Sequence, residues 1–153
     1  MEKIKVGVVG ATGYAGSEIC RLITGHPQAE LAAISSVSFE GMALSQVYPA
    51  YNQMIDLVCG TQEQVVEQSD VIFAALPHGL SQDLAAQCDA LGKTFIDMGA
   101  DFRLEDEAAY KEWYGGTYTD KELHEKAAYG LPEFFREKIR GKKVIANPGC
   151  YTT

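Results

Sequence analysis

The chain has 153 residues, 46% of them hydrophobic and 22% charged, which suits one soluble globular domain with a single core. Its formal net charge is −8, so we expect neither nucleic acid nor an anionic membrane surface as a partner. No apolar run reaches the roughly 18 residues of a membrane span, and no basic-then-apolar leader opens the chain. The sequence therefore predicts a cytoplasmic protein.

The cysteines are far apart in the sequence and form no C-x-x-C pair; they are Cys20, Cys59, Cys88 and Cys150. This spacing favours neither a zinc site nor a disulfide framework, and free thiols suit a reducing cytosol. We therefore expect no bound metal.

The first predicted strand, residues 3–9, leads directly into a glycine-rich loop at residues 10–16. The glycines recur every third residue, a G-x-x-G-x-x-G variant of the dinucleotide-binding fingerprint. We expect Gly10 to allow the tight turn, Gly13 to let the backbone approach a pyrophosphate, and Gly16 to let the following helix pack closely. The pyrophosphate would lie on the helix N-terminus. The cofactor contacts predicted here are Gly10, Thr12, Gly13, Tyr14, Ala15 and Gly16.

A second strand, residues 31–34, ends in a serine-rich segment without a carboxylate. An acid at this point would hydrogen-bond the ribose 2′-hydroxyl of NAD, whereas hydroxyl groups donate to the 2′-phosphate of NADP. We therefore predict NADP, held by Ser35, Ser36 and Ser38. An ordinary serine-rich turn fits the same residues, since no arginine lies nearby to bind the phosphate.

Strand-like and helix-like segments then alternate along the chain. Strands are predicted at residues 55–59, 71–76, 94–98 and 144–145, and helices at residues 62–68 and 81–91, the second with Leu84, Ala85, Cys88 and Leu91 on one face. Residues 105–126 are polar and aromatic and are predicted to lie outside the core. The alternation predicts an α/β fold of the Rossmann type, with a doubly wound and mostly parallel sheet.

Ligands of such folds bind beyond the carboxyl ends of the strands, so two strand exits are candidate sites. At the first, Pro77, His78 and Gly79 form a turn predicted to contact the cofactor, although a solvent-exposed turn histidine is the alternative. At the second, Arg103 has the planar fork suited to a phosphate or carboxylate, and the alternative is a surface ion pair with Asp101 or Glu105. His26 and His124 are predicted to have no catalytic role.

The segment after the last predicted strand carries the candidate nucleophile. Pro148 and Gly149 form a turn that presents Cys150 at the carboxyl edge of the sheet. A helix beginning at Cys150 would favour the thiolate over the thiol, whose unperturbed pKa is near 8.5. A small buried cysteine at a helix start is the alternative.

Five motifs together resemble the N-acetyl-gamma-glutamyl-phosphate reductase family: residues 10–16, 75–79, 100–104, 129–133 and 147–151. The resemblance implies NADPH-dependent reduction of a small acyl phosphate, N-acetyl-gamma-glutamyl phosphate, to N-acetylglutamate 5-semialdehyde in arginine biosynthesis. It implies that Cys150 is the nucleophile that forms a thioester, and that Arg103, Asn147 and Gly149 contact the substrate. Val37 stands where the family pattern has an arginine, a departure that bears on the 2′-phosphate.

The resemblance also implies a second domain that supplies an acid–base histidine and the interface of a homo-oligomer. We therefore expect residues 1–153 to be the dinucleotide-binding domain, ending just after the nucleophile, with the catalytic and dimerisation domain not present and the chain alone inactive.

Two other functions fit the same features. An enzyme like aspartate-semialdehyde dehydrogenase shares the chemistry, and a dinucleotide-sensing module without catalysis would share the glycine loop. A reactive Cys150 distinguishes an enzyme from a sensor, and activity with each acyl phosphate distinguishes the two enzymes.

Overall fold

The structure is a computed structural model that describes residues 2–151 and 153. The described residues form two compact units, the first ending at Ala75 and the second beginning at Leu76. Within these described residues, no helix is long and apolar enough to cross a membrane.

The first unit contains four parallel strands in the order β3-β2-β1-β4. The strands are β1 (Ile4–Val9), β2 (Ala29–Ser35), β3 (Cys59–Gly60) and β4 (Val71–Ala74). The helices are α1 (Tyr14–Thr24), α2 (Leu44–Val47) and α3 (Gln62–Gln68), and a 3₁₀ turn spans Pro49–Tyr51.

The core of this unit follows from the apolar runs of its central strands. Val8 of β1 is fully buried and pairs in register with Ile34 of β2 and Phe73 of β4. Strands buried on both faces read as continuous apolar runs, which is why β1 is recognisable in the sequence. The chain leaves β1 at Val9, so the glycine loop begins at the carboxyl end of this strand.

The second unit contains three parallel strands in the order β5-β7-β6. The strands are β5 (Thr94–Asp97), β6 (Ala128–Tyr129) and β7 (Val144–Ala146). The helices are α4 (Gln82–Ala90), α5 (Glu107–Tyr114), α6 (Lys121–Lys126) and α7 (Pro132–Ile139). Asp106 and Asp120 are the N-cap residues of α5 and α6, and each carboxylate accepts a hydrogen bond from a first-turn N–H group.

The strand predicted at residues 55–59 forms only at its end, where Val58 makes an isolated antiparallel bridge to Ala43 and Cys59 pairs with β2. The N–H group of Ile55 donates to the carbonyl of Tyr51 at 2.9 Å, and the carbonyl of Leu57 accepts from Leu44 at 2.9 Å. The backbone therefore bonds to the preceding turn and helix rather than to β2, and pairing with β2 begins only at Cys59.

The prediction that residues 105–126 lie outside the core is wrong for two side chains, although the rest of the segment is exposed or half-buried. Two helices form there, and Tyr110 and Leu123 are almost completely buried. Each belongs to a short helix whose other residues are mostly polar, so no apolar periodicity marks it. Leu91, predicted to share one helix face with Leu84, Ala85 and Cys88, follows the end of α4 and is 58% exposed, whereas the other three are buried.

Candidate active site

Gly10 makes the turn between β1 and α1, as predicted. Its φ of +80° is strained for any residue with a side chain, and an added Cβ would overlap the carbonyl oxygen of Ala75. The N–H groups of Gly10 and Ala11 both donate to the carbonyl of Ser35, at 3.1 and 2.9 Å. The end of β2 therefore fixes the start of the loop.

The other two glycines of the loop meet different constraints. An added Cβ at Gly16 would overlap the carbonyl oxygen of Gly10, so close packing of the helix on the loop requires glycine there. An added Cβ at Gly13 would meet only the Gly10 carbonyl oxygen, at 3.5 Å, an ordinary contact. Since packing within the protein does not require glycine at position 13, the absent side chain leaves space for an approaching ligand.

The N-terminus of α1 carries free hydrogen-bond donors. Gly13 has an extended backbone and provides no side-chain cap, and the first intrahelical bond runs from Ser17 N to Gly13 O at 2.9 Å. Among the described residues, the N–H groups of Tyr14, Ala15 and Gly16 have no hydrogen-bond partner. Such donors bind phosphate groups at helix N-termini. The loop therefore fits a dinucleotide pyrophosphate.

The predicted serines are in different environments. Ser35 is 4% exposed and Ser36 is 6% exposed, and the hydroxyl of Ser36 shares a 2.6 Å hydrogen bond with that of Thr12. Ser38 is exposed. The loop is also held by Tyr48, whose hydroxyl donates to the carbonyl of Thr12 at 2.6 Å. The sequence gave no local signal for this contact because the two residues are 36 positions apart.

The second unit contains a cleft of about 550 Å³ that brings four predicted residues together. It is lined by His78, Arg103, Leu104, Tyr114, Tyr129, Gly149, Cys150 and Tyr151. None of these residues is acidic, although the chain has 21 Asp and Glu residues. The only charged side chain in the lining is Arg103. The cleft is therefore suited to an anionic ligand, and Tyr114 and Tyr129 are lining residues that the sequence analysis did not identify.

Cys150 is exposed, whereas the other three cysteines are buried. Burial raises the pKa of the Cys20 thiol to about 12 and that of the Cys88 thiol to about 11, and it also raises the pKa of Cys59. The helix expected at Cys150 is not present in the described residues; Cys150 and Tyr151 form a turn. Exposure therefore distinguishes Cys150 from the other thiols.

Arg103 contacts the backbone at two strand ends. Its Nε donates to the carbonyl of Asn147 at 2.7 Å, and its Nη2 donates to the carbonyl of Met98 at 3.0 Å. The alternative of a surface ion pair is wrong, since Arg103 makes none within the described part of the chain. Arg103 thus keeps its positive charge at the cleft while it holds the segment that leads to Cys150.

Asn147 is held through its backbone as well. Its N–H group donates to the carbonyl of Asp97 at 2.9 Å, and its side-chain Nδ2 donates to the carbonyl of Pro148 at 3.0 Å. The amide group therefore stabilises the turn before Cys150, and the predicted substrate contact of Asn147 stays a prediction.

Two buried carboxylates lie at the end of β5, Asp97 as its last residue and Asp101 four residues later. The sequence analysis considered Asp101 only as an ion-pair partner of Arg103 and gave Asp97 no role. Asp97 accepts from the N–H groups of Gly99 at 2.9 Å and of Asp101 at 3.1 Å, and burial raises its pKa. Asp101 accepts from the N–H groups of Gly79 at 2.7 Å and of Ser81 at 3.0 Å. These carboxylates fix the loops on either side of them.

The turn that contains Pro77, His78 and Gly79 is exposed. Gly79 has a φ of +85° with no atom near an added Cβ, so backbone conformation rather than close approach requires glycine here. The ring of His78 contacts that of Tyr114, with centroids 5.1 Å apart and planes at 67°. His78 lies in an exposed turn, as the alternative had it, and its side chain lines the cleft. The predicted contact of His78 with the cofactor stays a prediction.

The remaining histidines do not line the cleft. His26 lies in an exposed turn, as predicted. His124 stacks between the rings of Phe102 and Tyr118, with centroid distances of 4.6 and 3.6 Å, and its Nε2 lies 2.7 Å from the carbonyl of Asp101. Its position indicates a structural role.

A glycine loop at the start of a parallel Rossmann-type sheet is typical of the class of nucleotide-dependent dehydrogenases. A family model described as "Semialdehyde dehydrogenase, NAD binding domain" matches residues 5–142. The chain belongs to this family.

Curated relatives extend the match to nearly the whole chain. An N-acetyl-gamma-glutamyl-phosphate reductase from Clostridium botulinum (strain Eklund 17B / Type B) is 53% identical over 150 residues. The same-named protein from Symbiobacterium thermophilum is 47% identical over 151 residues. Both alignments cover 98% of this chain but only 44% and 43% of the relatives, so the chain spans less than half their length. The resemblance predicted from the motifs is confirmed by these similarities.

Solved structures show the same fold. Aspartate semialdehyde dehydrogenase with NADP from Candida albicans has a TM-score of 0.68 at 20% identity, over 99% of this chain and 44% of that chain. Aspartate semialdehyde dehydrogenase II complexed with ASA from Vibrio cholerae has a TM-score of 0.70 at 19% identity, over 99% and 43%. The predicted α/β Rossmann-type fold with a parallel sheet is confirmed.

Proposed function

We propose that this chain is the dinucleotide-binding and nucleophile-bearing part of an NADPH-dependent N-acetyl-gamma-glutamyl-phosphate reductase. The observation that carries the proposal is the composition of the cleft, which combines exposed Cys150 with Arg103 and no acidic residue in a chain of net charge −8. An anionic acyl phosphate would meet a positive charge and a nucleophile there. The relatives that match nearly the whole chain bear the name of this activity.

The chemistry of the cleft begins at Cys150. Its thiolate attacks the carbonyl carbon of the acyl phosphate, the C–O bond to phosphate breaks, and a thioester forms with release of inorganic phosphate. The guanidinium of Arg103 stabilises the charge of the departing phosphate, because an opposite charge in a partly desolvated site interacts more strongly than in bulk water. A bound reduced nicotinamide would supply the hydride that reduces the thioester to the aldehyde, and Cys150 would leave as the thiolate when the C–S bond breaks.

The residues of the first unit fit the dinucleotide. Gly13 leaves space at the N-terminus of α1, where three N–H groups have no partner among the described residues. No carboxylate stands at the end of β2 to repel a 2′-phosphate, and the exposed hydroxyl of Ser38 follows that strand. Ser35 is buried and acts instead through its carbonyl, which holds the loop. These features support NADPH over NADH.

Several parts of the proposal concern sequence outside residues 1–153. We propose that the acid–base histidine, the rest of the substrate pocket and a homo-oligomer interface belong to a further domain, as the length of the relatives suggests. Residues 1–153 then act as the dinucleotide-binding domain. The cytoplasmic location also stays a prediction.

The test is a phosphate-dependent assay in the reverse direction, with N-acetylglutamate 5-semialdehyde, inorganic phosphate and NADP⁺. It uses a polypeptide of the relatives' length that contains this chain, with residues 1–153 alone for comparison. We expect NADPH formation that requires phosphate, is abolished by Cys150→Ser, and is lost in residues 1–153 alone. Faster turnover of aspartate semialdehyde would favour the other enzyme, and dinucleotide binding without turnover of either aldehyde would favour a sensing module.

A further inference from the structure

We propose that Asp101 is a positioning residue, which holds the turn of residues 77–81 so that the His78 side chain faces the ligand bound beside Cys150. This inference rests on the proposed function of the cleft. Asp101 itself does not line the cleft, so any effect on the reaction is exerted through the residues it holds.

The Asp101 carboxylate is surrounded by hydrogen-bond donors. It is 0% exposed and accepts from Gly79 N at 2.7 Å, from Ser81 N at 3.0 Å and from the hydroxyl of Tyr110 at 2.9 Å. In the described part of the chain it makes no ion pair. A buried carboxylate without a cation depends on such donors for its stability. The donors and the acceptor therefore fix one another's positions.

The position of this carboxylate determines the backbone on both sides of His78. Gly79 follows His78 directly and has a φ of +85°, a conformation that the bond to Asp101 holds. Ser81 N, bonded to the second carboxylate oxygen, fixes the point where α4 begins. One planar carboxylate that accepts hydrogen bonds from two residues two positions apart leaves little freedom to the turn between them.

Helix α5 adds a second restraint to the same turn. Tyr110 bonds Asp101, and one turn later on the same helix Tyr114 packs its ring against that of His78, at 5.1 Å. The two tyrosine rings also contact each other at 5.7 Å. The imidazole is thus held through its backbone by Asp101 and through its ring by Tyr114. A surface turn histidine without a function would not need either restraint.

The substitution Asp101→Asn tests the inference because asparagine keeps the size of the side chain but presents an NH₂ group to one of the two N–H donors. In the polypeptide assayed above, we expect Asp101→Asn and His78→Ala each to lower kcat/KM by about 10-fold or more. If Asp101 acts through His78, the double variant should lie within about twofold of the weaker single variant. Losses that multiply to about 100-fold would show that Asp101 does not act through His78 and would overturn the proposal.

A second measurement is independent of turnover and therefore of the proposed function. Asp101→Asn should accelerate amide hydrogen exchange at Gly79 and Ser81 by about 10-fold or more, while exchange at Asn147, whose N–H bonds to Asp97, stays unchanged. Tyr110→Phe keeps both N–H bonds and serves as the matched control, with exchange at the two amides within about threefold of the wild type. Equal acceleration in both variants, or in neither, would overturn the proposal.

The outcomes distinguish a failure of the proposed function from a failure of the positioning role of Asp101. If the wild type forms no NADPH in the reverse assay, the proposed function fails, and the exchange measurement still decides whether Asp101 holds the turn. If Asp101→Asn does not fold, Gly79→Ala disturbs the same turn from within because an L side chain is strained at φ +85°. The double variant Gly79→Ala with His78→Ala should then have nearly the same kcat/KM as the less active of the two single variants. A kcat/KM lowered by the product of the two single losses would count against the proposal.

Discussion

The Nε of Arg103 donates a 2.7 Å hydrogen bond to the backbone carbonyl of Asn147, three residues before Cys150. The same guanidinium donates from Nη2 to the carbonyl of Met98, just after β5. One planar side chain therefore joins the segments that follow two neighbouring strands of the second unit. This double contact requires the fork of arginine, because the ammonium group of lysine cannot reproduce its fixed geometry.

We expect Arg103→Lys to lower the free energy of unfolding by about 1.5–3 kcal/mol, the magnitude of losing one hydrogen bond that involves a charged group. The measurement is urea denaturation at neutral pH. Arg140→Lys is the control, since Arg140 pairs only with exposed Glu137 at 3.3 Å, and we expect its stability to match the wild type. An Arg103→Lys protein as stable as the control would show that the two carbonyl contacts do not hold the cleft.

The glycine loop yields a prediction that separates ligand binding from folding. Gly13→Ala should weaken NADPH binding by about 10-fold or more because the methyl group occupies the path of the pyrophosphate. Its cost to stability should not exceed about 1 kcal/mol, the preference of a helix N-cap for glycine over alanine. Calorimetric titration with NADPH and NADH, together with urea denaturation, measures both effects.

Gly16→Ala is the matched control for this prediction. An added methyl group at position 16 would overlap the carbonyl oxygen of Gly10, so we expect a loss of about 1–3 kcal/mol in stability through overpacking. If Gly13→Ala bound NADPH as tightly as the wild type, the prediction that this loop binds the cofactor would be wrong. If the wild type bound NADPH and NADH with equal affinity, the prediction of NADP would be wrong.

What the sequence predicted correctly depends on local geometry. The roles of Gly10 and Gly16 depend on a turn and a helix start that involve only a few neighbouring residues. The continuous apolar run of β1 likewise predicts a buried strand from the local sequence. Tyr48 and Asp101 act on backbone groups 36 and about 20 positions away, so no local pattern reveals them. The error at residues 55–57 has the same origin, because this segment is hydrogen-bonded to residues 44 and 51 instead of pairing as a strand of the sheet.

The four thiols should differ sharply in reactivity. Brief alkylation with iodoacetamide at pH 7.5, followed by peptide mapping, should label Cys150 first because it alone among the four is exposed. With pKa values of about 11 and about 12, Cys88 and Cys20 have fewer than roughly one thiol in 10³ ionised at this pH. Cys150→Ser should leave the native chain almost unlabelled. Faster labelling of Cys20 or Cys88 would contradict the nucleophile assignment.

The buried carboxylate of Asp97 should give stability an unusual pH dependence. Burial raises its pKa in the folded state above the ordinary value, so between these two pH values the folded chain binds more protons than the unfolded chain. The contribution of Asp97 to the free energy of unfolding therefore falls as pH rises through that window and is constant above it. Asp97→Asn removes this titration. We expect the stability difference, wild type minus Asp97→Asn, to be larger in mild acid than at neutral pH.

Glu107 provides a control of opposite sign in the same unit. A hydrogen bond from Lys121, and a weaker one from the N–H group of Tyr118, lower the pKa of Glu107 in the folded state. Its contribution to stability is therefore present above the unfolded-state pKa and is lost as pH falls through the folded-state pKa. The free energy of unfolding of the wild type minus that of Glu107→Gln should thus increase with pH, while the same difference for Asp97→Asn decreases. Urea denaturation between pH 3 and pH 7.5 measures both differences. If the two differences changed with pH in the same direction, burial would not determine the pKa of Asp97.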